Sequence, residues 1–285
     1  MTETVKLVEC PRDAMQGLHD FIPTSTKVAY INSLLKVGFD TLDFGSFVSP
    51  KAIPQMRDTA EVLDRLDASA TKLLAIVANE RGAEQAVSFD RVHYLGYPFS
   101  VSEEFQKRNT NATIEDSLLR ADAIQNLCVK NNKEAVFYLS MAFGNPYGEA
   151  WHPDIVTRWC ERLHNELGVN ILALSDTIGA STPEVIYDLF ATVLGEMPKA
   201  EIGAHLHTTP DRWEEKLAAA WNAGCRRFDG ALKGFGGCPM AADDLTGNMP
   251  TERMVDWFNE HTVHTGLSTD AFERALLEST KVFTA

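Results

Sequence analysis

"EIGAHLHTTPDRWEEKLAAAWNAGCRRFDGAL", residues 201–232, reads as strand, helix and strand. The run 201–207 is short and mostly apolar, as a buried strand is. His205 and His207 stand two apart in it, so on a strand both side chains reach the same face. The pattern of 212–224 is helical, and Gly224 stands where the helix should stop. The run 226–232 begins the next strand.

Moving outward, the same alternation covers the chain. Strands are predicted at 5–10, 40–45, 72–77, 91–97, 134–141, 171–177, 201–207 and 226–232. Helical patterns follow them, among others at 25–38, 54–66, 113–131, 183–194 and 212–224. Thr113 with Glu115 and Asp116, and Thr182 before Pro183, are start signals; Gly38, Gly168 and Gly224 are stops. Eight β-then-α units in 285 residues predict a TIM (β/α)8 barrel as a single domain. The rival is an open doubly wound sheet, but no G-x-G-x-x-G follows an early strand. The barrel should occupy about 5–262 and a helical extension about 263–285, with an extra C-terminal helix in 268–283. That helix would cover the barrel bottom, line a site or form a dimer contact.

The net charge of −14 argues against a nucleic-acid partner, which needs a basic face. It leaves room for a small anionic substrate. Five scattered cysteines without a C-x-x-C pair read as reduced thiols. No targeting segment and no membrane-length apolar run stand out, so the cytoplasm is the expected location, with no membrane partner.

The active site of a TIM barrel lies at the C-terminal ends of its strands. Strand 1 ends in Arg12, Asp13 and Gln16, strand 2 at Asp43, strand 6 at Asp176 and Thr177, and strand 7 at His205 and His207. The opposite strand ends carry ordinary surface residues. Two imidazoles, Asp13 across the rim and an amide would make a mixed O/N site suited to Mg2+ or Mn2+. Zinc is less expected, since no thiolate or third histidine is close in sequence. The plain alternative is two polar residues near a strand end. After strand 8, "GFGGCP" (234–239) sets a thiol in a glycine-rich loop. It reads as a lid or hinge, or as a tight turn with a structural cysteine. The other four cysteines read as core, Lys51 as surface, and "KRN" (107–109) as a basic loop cluster, solvated or meeting a phosphate.

"PRDAMQ", "SFVSPKAIPQM", "SDTIG", "HLH", "GFGGCP" and "TGNMPTE", in this order over about residues 5–267, resemble the 3-hydroxy-3-methylglutaryl-CoA lyases, in the metal-dependent lyase branch of TIM barrels. The resemblance implies Asp13, His205, His207 and Asn248 as ligands of Mg2+ or Mn2+. It implies Arg12 as the electrophilic residue, Cys238 as the lid thiol, and Asp43, Asp176 and Glu252 as site carboxylates. Gln16, Ser46, Tyr147 and Thr177 would touch an acyl-CoA substrate, and a homodimer is expected. The chain departs from the family in three places. Asp43 stands where glutamate is common, Thr208 where aspartate follows the second histidine, and the 238–248 stretch is one residue longer than in the animal enzymes.

The reaction implied is a retro-Claisen cleavage giving acetyl-CoA and acetoacetate. A cation lowers the pKa of the C3 hydroxyl. Arg12 stabilises the thioester enolate, and Cys238 protonates its carbon. The base is a histidine, Asp43 or Asp176. A 4-hydroxy-2-oxoacid aldolase or an alkylmalate-type synthase would share Arg12, Asp13 and the H-x-H without needing Cys238. A non-catalytic binding barrel would need none of them.

Overall fold

The runs rich in branched and aromatic residues form parallel strands. They are β1 (Lys6–Glu9), β2 (Thr41–Ser46), β3 (Lys72–Ile76), β4 (Val92–Ser100), β5 (Glu134–Ser140), β6 (Ile171–Asp176), β7 (Glu201–Thr208) and β8 (Arg227–Gly230). This computed structural model describes residues 3–237 and 246–283. Each strand pairs in parallel with the next, and β8 pairs with β1, closing an eight-stranded TIM barrel. A short ninth strand, β9 (Gly247–Asn248), adds antiparallel to the end of β7, setting Asn248 opposite His207.

Alternation along the strands separates two apolar regions. Outward side chains pack under the helices in one continuous core. Inward ones form a small lumen cluster of Leu74, Ile76, Tyr94, Val136, Tyr138, Ile171 and Ala173. The capping signals work as read. Thr113 and Asp116 form a reciprocal capping box, and the Thr182 hydroxyl accepts the Val185 N–H. Gly168 takes φ 74° and Gly224 φ 105°, both left-handed.

Two local expectations need correction. The stretch 54–66 is a 3-10 turn (Pro54–Met56) and a separate helix (Thr59–Asp64). The buried Lys27 ammonium holds the Gln55 carbonyl and the Asp58 carboxylate, and the Thr59 hydroxyl donates to the Met56 carbonyl, so the chain breaks there. "KRN" belongs to a helix, Glu103–Thr110, capped by Ser102. Lys107 pairs with Glu103 and Arg108 with Glu104, one turn apart, which removes the cluster's free charge. The helix stops at Asn111, in the left-handed conformation at φ 50°.

The last helix, Thr269–Val282, follows a bridge between Thr4 and His264 at the barrel's lower end. It packs along the helix Thr24–Leu35 and ends where Phe283 stacks on Phe235 of the glycine-rich loop, ring centroids 4.4 Å apart. It therefore climbs the outer wall rather than closing the bottom. Among the described residues no helix is long and apolar enough to cross a membrane.

Glu9 faces outward from β1 into the core, fully buried. Its carboxyl accepts the Leu232 N–H at 2.8 Å and the Thr251 hydroxyl at 2.6 Å, tying β1 to the segment after β8. Burial, with Glu252 adding to it, lifts its pKa to about 8. In the unfolded chain the group ionises near 4.5. Between these values folding requires proton uptake, so this group makes stability fall as pH rises. Glu9→Gln keeps an acceptor for Leu232 and a donor for Thr251 without the charge. It should raise Tm by several degrees at pH 8.5 and change it little at pH 4.5, as read by thermal unfolding at both pH values.

Candidate active site

β1 ends at Glu9, and Pro11 starts a short helix, Pro11–Gln16, that turns Arg12 and Asp13 over the barrel mouth. Arg12 is 7% and Asp43 0% exposed. The guanidinium donates to Asp43 Oδ2 through Nη2 at 2.5 Å and through Nε at 2.9 Å, and to Asp13 Oδ1 through Nη1 at 2.8 Å. Burial alone would weaken its hold on the proton, but Asp43 and then Asp13 keep it charged well above the ordinary range. Burial lifts the Asp43 carboxyl to about 6 despite Arg12. Burial also pushes Asp13 upward, yet Arg12 and the two imidazoles outweigh it and hold the group below the usual carboxylate value.

Asp13 is held from three further sides. Gln16 Nε2 donates to Oδ1 at 2.9 Å, Asn248 Nδ2 donates to Oδ2 at 2.7 Å, and the imidazoles of β7 face it. Ligand atoms of Asp13, His205 and His207 all lie within 4.8 Å of one another. His207 Nδ1 lies 2.9 Å from the Thr177 carbonyl, which can only accept, so Nδ1 carries the proton and Nε2 the lone pair. That Nε2 is buried and makes no hydrogen bond among the described residues. His205 Nδ1 lies 3.2 Å from Asp229 Oδ2. Burial and then the His205 charge lower the His207 pKa, whereas at His205 burial is outweighed by the bond to Asp229 together with the Asp229 and Asp13 charges, which raise it.

The mouth encloses a cavity of about 350 Å3. Arg12, Asp13, Gln16, Thr177, His205 and His207 line it, and Val48, Ile53, Ile76 and Pro98 form an apolar wall. Gly236, at φ 90°, lets the glycine-rich loop pass beside the cluster, since a Cβ there would lie 2.7 Å from Asn248 Nδ2 and 2.8 Å from the Asp13 carbonyl oxygen. Cys238 lies outside the described residues.

Other sequence candidates sit around this cluster rather than in it. Asp176 is saturated: Oδ1 accepts the Ala180 N–H, and Oδ2 accepts the Ser181 hydroxyl and Lys216 Nζ at 2.7 Å. Glu252 accepts the Lys233 N–H at 2.8 Å. The Ser46 hydroxyl is buried against the Ile76 carbonyl, and the Tyr147 ring carries the Arg108 guanidinium, 4.9 Å from its centroid. None of these four, nor Asp43, lines the cavity.

The sequence reading missed three groups. Tyr138 lines the cavity and packs edge-on to His205, with centroids 5.2 Å apart. Asp229 and Arg227 stand on the inner face of β8, so the lower lumen is not apolar, and Arg227 is 2% exposed. Inward alternation from Asp229 would have exposed both, and Tyr138 follows from the same rule on β5. Cys10 also reaches His205 in space, though not in sequence. Burial, reinforced by Asp229, Asp43 and Asp13, raises its pKa well above the thiol norm, so it stays protonated.

A closed parallel barrel whose C-terminal mouth carries a carboxylate, two imidazoles and a clamped arginine defines a TIM-barrel enzyme. The HMGL-like family pattern matches residues 5–276. The cytoplasmic 3-hydroxy-3-methylglutaryl-CoA lyase of Rattus norvegicus is 31% identical over 269 residues, 94% of this chain and 78% of that protein. The HMG-CoA lyase structure from Brucella melitensis superposes with TM-score 0.91 at 31% identity, covering 98% of this chain and 99% of that one. An Acinetobacter baumannii HMG-CoA lyase, solved in complex with coenzyme A and 3-methylmalate, gives TM-score 0.89 at 29% identity, over 98% and 91% of the two chains. The chain belongs to the HMGL-like family and is an enzyme of the lyase class.

Lys216 ties this site to the helix Trp213–Asn222. Its fully buried ammonium bonds Asp176, the Gly179 carbonyl and the His207 carbonyl. Lys216→Met would leave the Asp176 charge without its partner. Urea unfolding should show a loss of about 3–5 kcal/mol, the usual result of breaking a buried pair from one side.

Proposed function

We propose that this enzyme cleaves 3-hydroxy-3-methylglutaryl-CoA to acetyl-CoA and acetoacetate, with a divalent cation, Mg2+ or Mn2+, at the mouth of the barrel. One observation carries the reading. The Nε2 of His207, buried and without a hydrogen-bond partner among the described residues, converges with His205 and Asp13 beside a buried arginine. A cation would satisfy that nitrogen, and the mixed oxygen and nitrogen donors suit these metals. Asp13, His205 and His207 would hold it. Asn248 would join through Oδ1, because its Nδ2 is committed to Asp13 and the Phe235 carbonyl. When bound, the cation supplies Lewis-acid polarisation of the substrate's hydroxyl oxygen.

The remaining work falls to the chain. Asp43 aims Arg12 by a two-point contact, from Nε and Nη2, so the guanidinium is preorganised to face negative charge developing on the thioester oxygen. Gln16 and Thr177 line the polar part of the cavity, while Val48, Ile53, Ile76 and Pro98 exclude water around the acyl carbons. Cys238, carried by the glycine-rich loop, donates the proton to the enolate carbon. The A. baumannii complex with coenzyme A supports an acyl-CoA substrate.

Chelator-treated protein should lose HMG-CoA cleavage and regain it with Mg2+ or Mn2+. Full turnover in metal-stripped protein would contradict the reading. Arg12→Gln should lower kcat by about 10²–10³ while KM changes little, because its charge matters chiefly in the transition state. A kcat within about fivefold of the parent, whatever the shift in Tm, would leave Arg12 with the bracing of Asp13 alone. Alkylation of Cys238 should inactivate, and substrate should protect; Cys238→Ser with near-normal turnover would remove it from the chemistry.

A further inference from the structure

Beneath the Asp13–His205–His207 cluster, two successive inward positions of β8 are charged. Arg227 and Asp229 are each 2% exposed. Asp229 reaches upward, with Oδ2 3.2 Å from His205 Nδ1. Its other oxygen lies 3.8 Å from Arg227 Nη1, and Arg227 Nε lies 3.4 Å from Glu201 Oε1. The neighbouring strand makes room for this arrangement. Gly203, two residues before His205, has no side chain where a Cβ would stand 3.1 Å from Arg227 Cδ. The edge contact with Tyr138 holds the His205 ring from a second direction.

The two imidazoles are therefore supported differently. His207 leans on a neutral backbone carbonyl and His205 on a carboxylate. We propose that Asp229 is the positioning residue of His205: it accepts the Nδ1–H, sets the tautomer that turns the Nε2 lone pair toward Asp13 and His207, and faces the Arg227 charge at ion-pair distance without a hydrogen bond to it among the described residues. The inference rests on the divalent-cation reading of the cluster. A carboxylate behind a ligating imidazole fixes the ring and strengthens the opposite nitrogen as a donor. A buried carboxylate without a counter-charge is unfavourable, and the Arg227 guanidinium supplies that charge.

The same residues have one other possible use. Ligand atoms of Cys10, His205 and Asp229 also lie within 4.8 Å of one another. A cation there would have to displace the proton from His205 Nδ1 and sit next to Arg227. The hydrogen bond and the guanidinium both oppose this, so the set supports the upper cluster and is not a second centre.

The test compares parent, Asp229→Asn and Asp229→Ala by Mn2+ titration followed by electron paramagnetic resonance. Nitrogen-15 imidazole spectra of the metal-free proteins accompany it, with the His205 signals assigned by difference from His205→Gln. The parent should bind Mn2+ and show His205 protonated on Nδ1. Asp229→Ala should raise the Mn2+ Kd about 10–100-fold and mix the tautomers. Asp229→Asn keeps an acceptor, so it should retain the tautomer and lose less affinity. A folded Asp229→Ala protein with the parent's tautomer and a Kd within about twofold of the parent's overturns the proposal, even if its Tm falls. If the alanine variant does not fold, an Asp229→Asn Kd indistinguishable from the parent's does the same. A parent that binds no Mn2+ overturns the cation reading itself, and this proposal with it.

Discussion

Arg12 has nowhere to place its charge except between Asp43 and Asp13. It is buried over the barrel mouth, its fork on one carboxylate and its remaining nitrogen on the other. The contact is possible because β1 and β2 are parallel neighbours, and β2 slips register between Asp43 and Gly45. Without either carboxylate the guanidinium would be a buried, under-compensated cation. With both, Asp13 is immobilised before anything binds, and Gln16 and Asn248 complete its support. The orientation of the cluster is thus a consequence of one buried ionic contact near its centre.

Two further buried cations serve the same architecture. Lys216 reaches from a helix to the His207 carbonyl and Asp176, and so steadies the end of β7 and the turn after β6. Arg227 stands under Asp229. In a chain of net charge −14, these three cations are withdrawn from solvent beside carboxylates at or behind the mouth. Buried pairs of this kind often add little net stability compared with apolar packing. Arg12 and Lys216 act geometrically, by hydrogen bonds that fix their acceptors, whereas Arg227 makes no hydrogen bond among the described residues and offers Asp229 only a counter-charge.

The barrel was legible because strand and helix periodicities alternate cleanly, and the rim was legible because position in a TIM barrel follows from strand order. Arg12, Asp13, His205 and His207 were found that way. Asp176 was read at the rim end of strand 6 and Glu252 came only with the family resemblance, but the partner of Asp176 was not visible: a lysine on an amphipathic helix reads as solvated until Lys216 is seen to point inward. Asp229 and Arg227 looked like ordinary members of "RRFDGAL", because a lumen that tolerates charge breaks the rule that inward strand positions are apolar. Cys10 read simply as core, since its approach to His205 and Asp229 across the barrel carries no local signal. The Gly-Gly pair at 236–237 suggested mobility; Gly236 also answers to a backbone that passes too close to Asp13 and Asn248 for a Cβ.

The central claim is that the barrel mouth is a divalent-cation centre built from Asp13 and the two histidines of β7. Anomalous diffraction at the manganese edge from crystals grown with Mn2+ tests it most directly. The account predicts a peak bonded to the Asp13 carboxylate and to Nε2 of both His205 and His207, with His205 Nδ1 still on Asp229. No peak at the mouth, or one between Cys10 and Asp229, would contradict it.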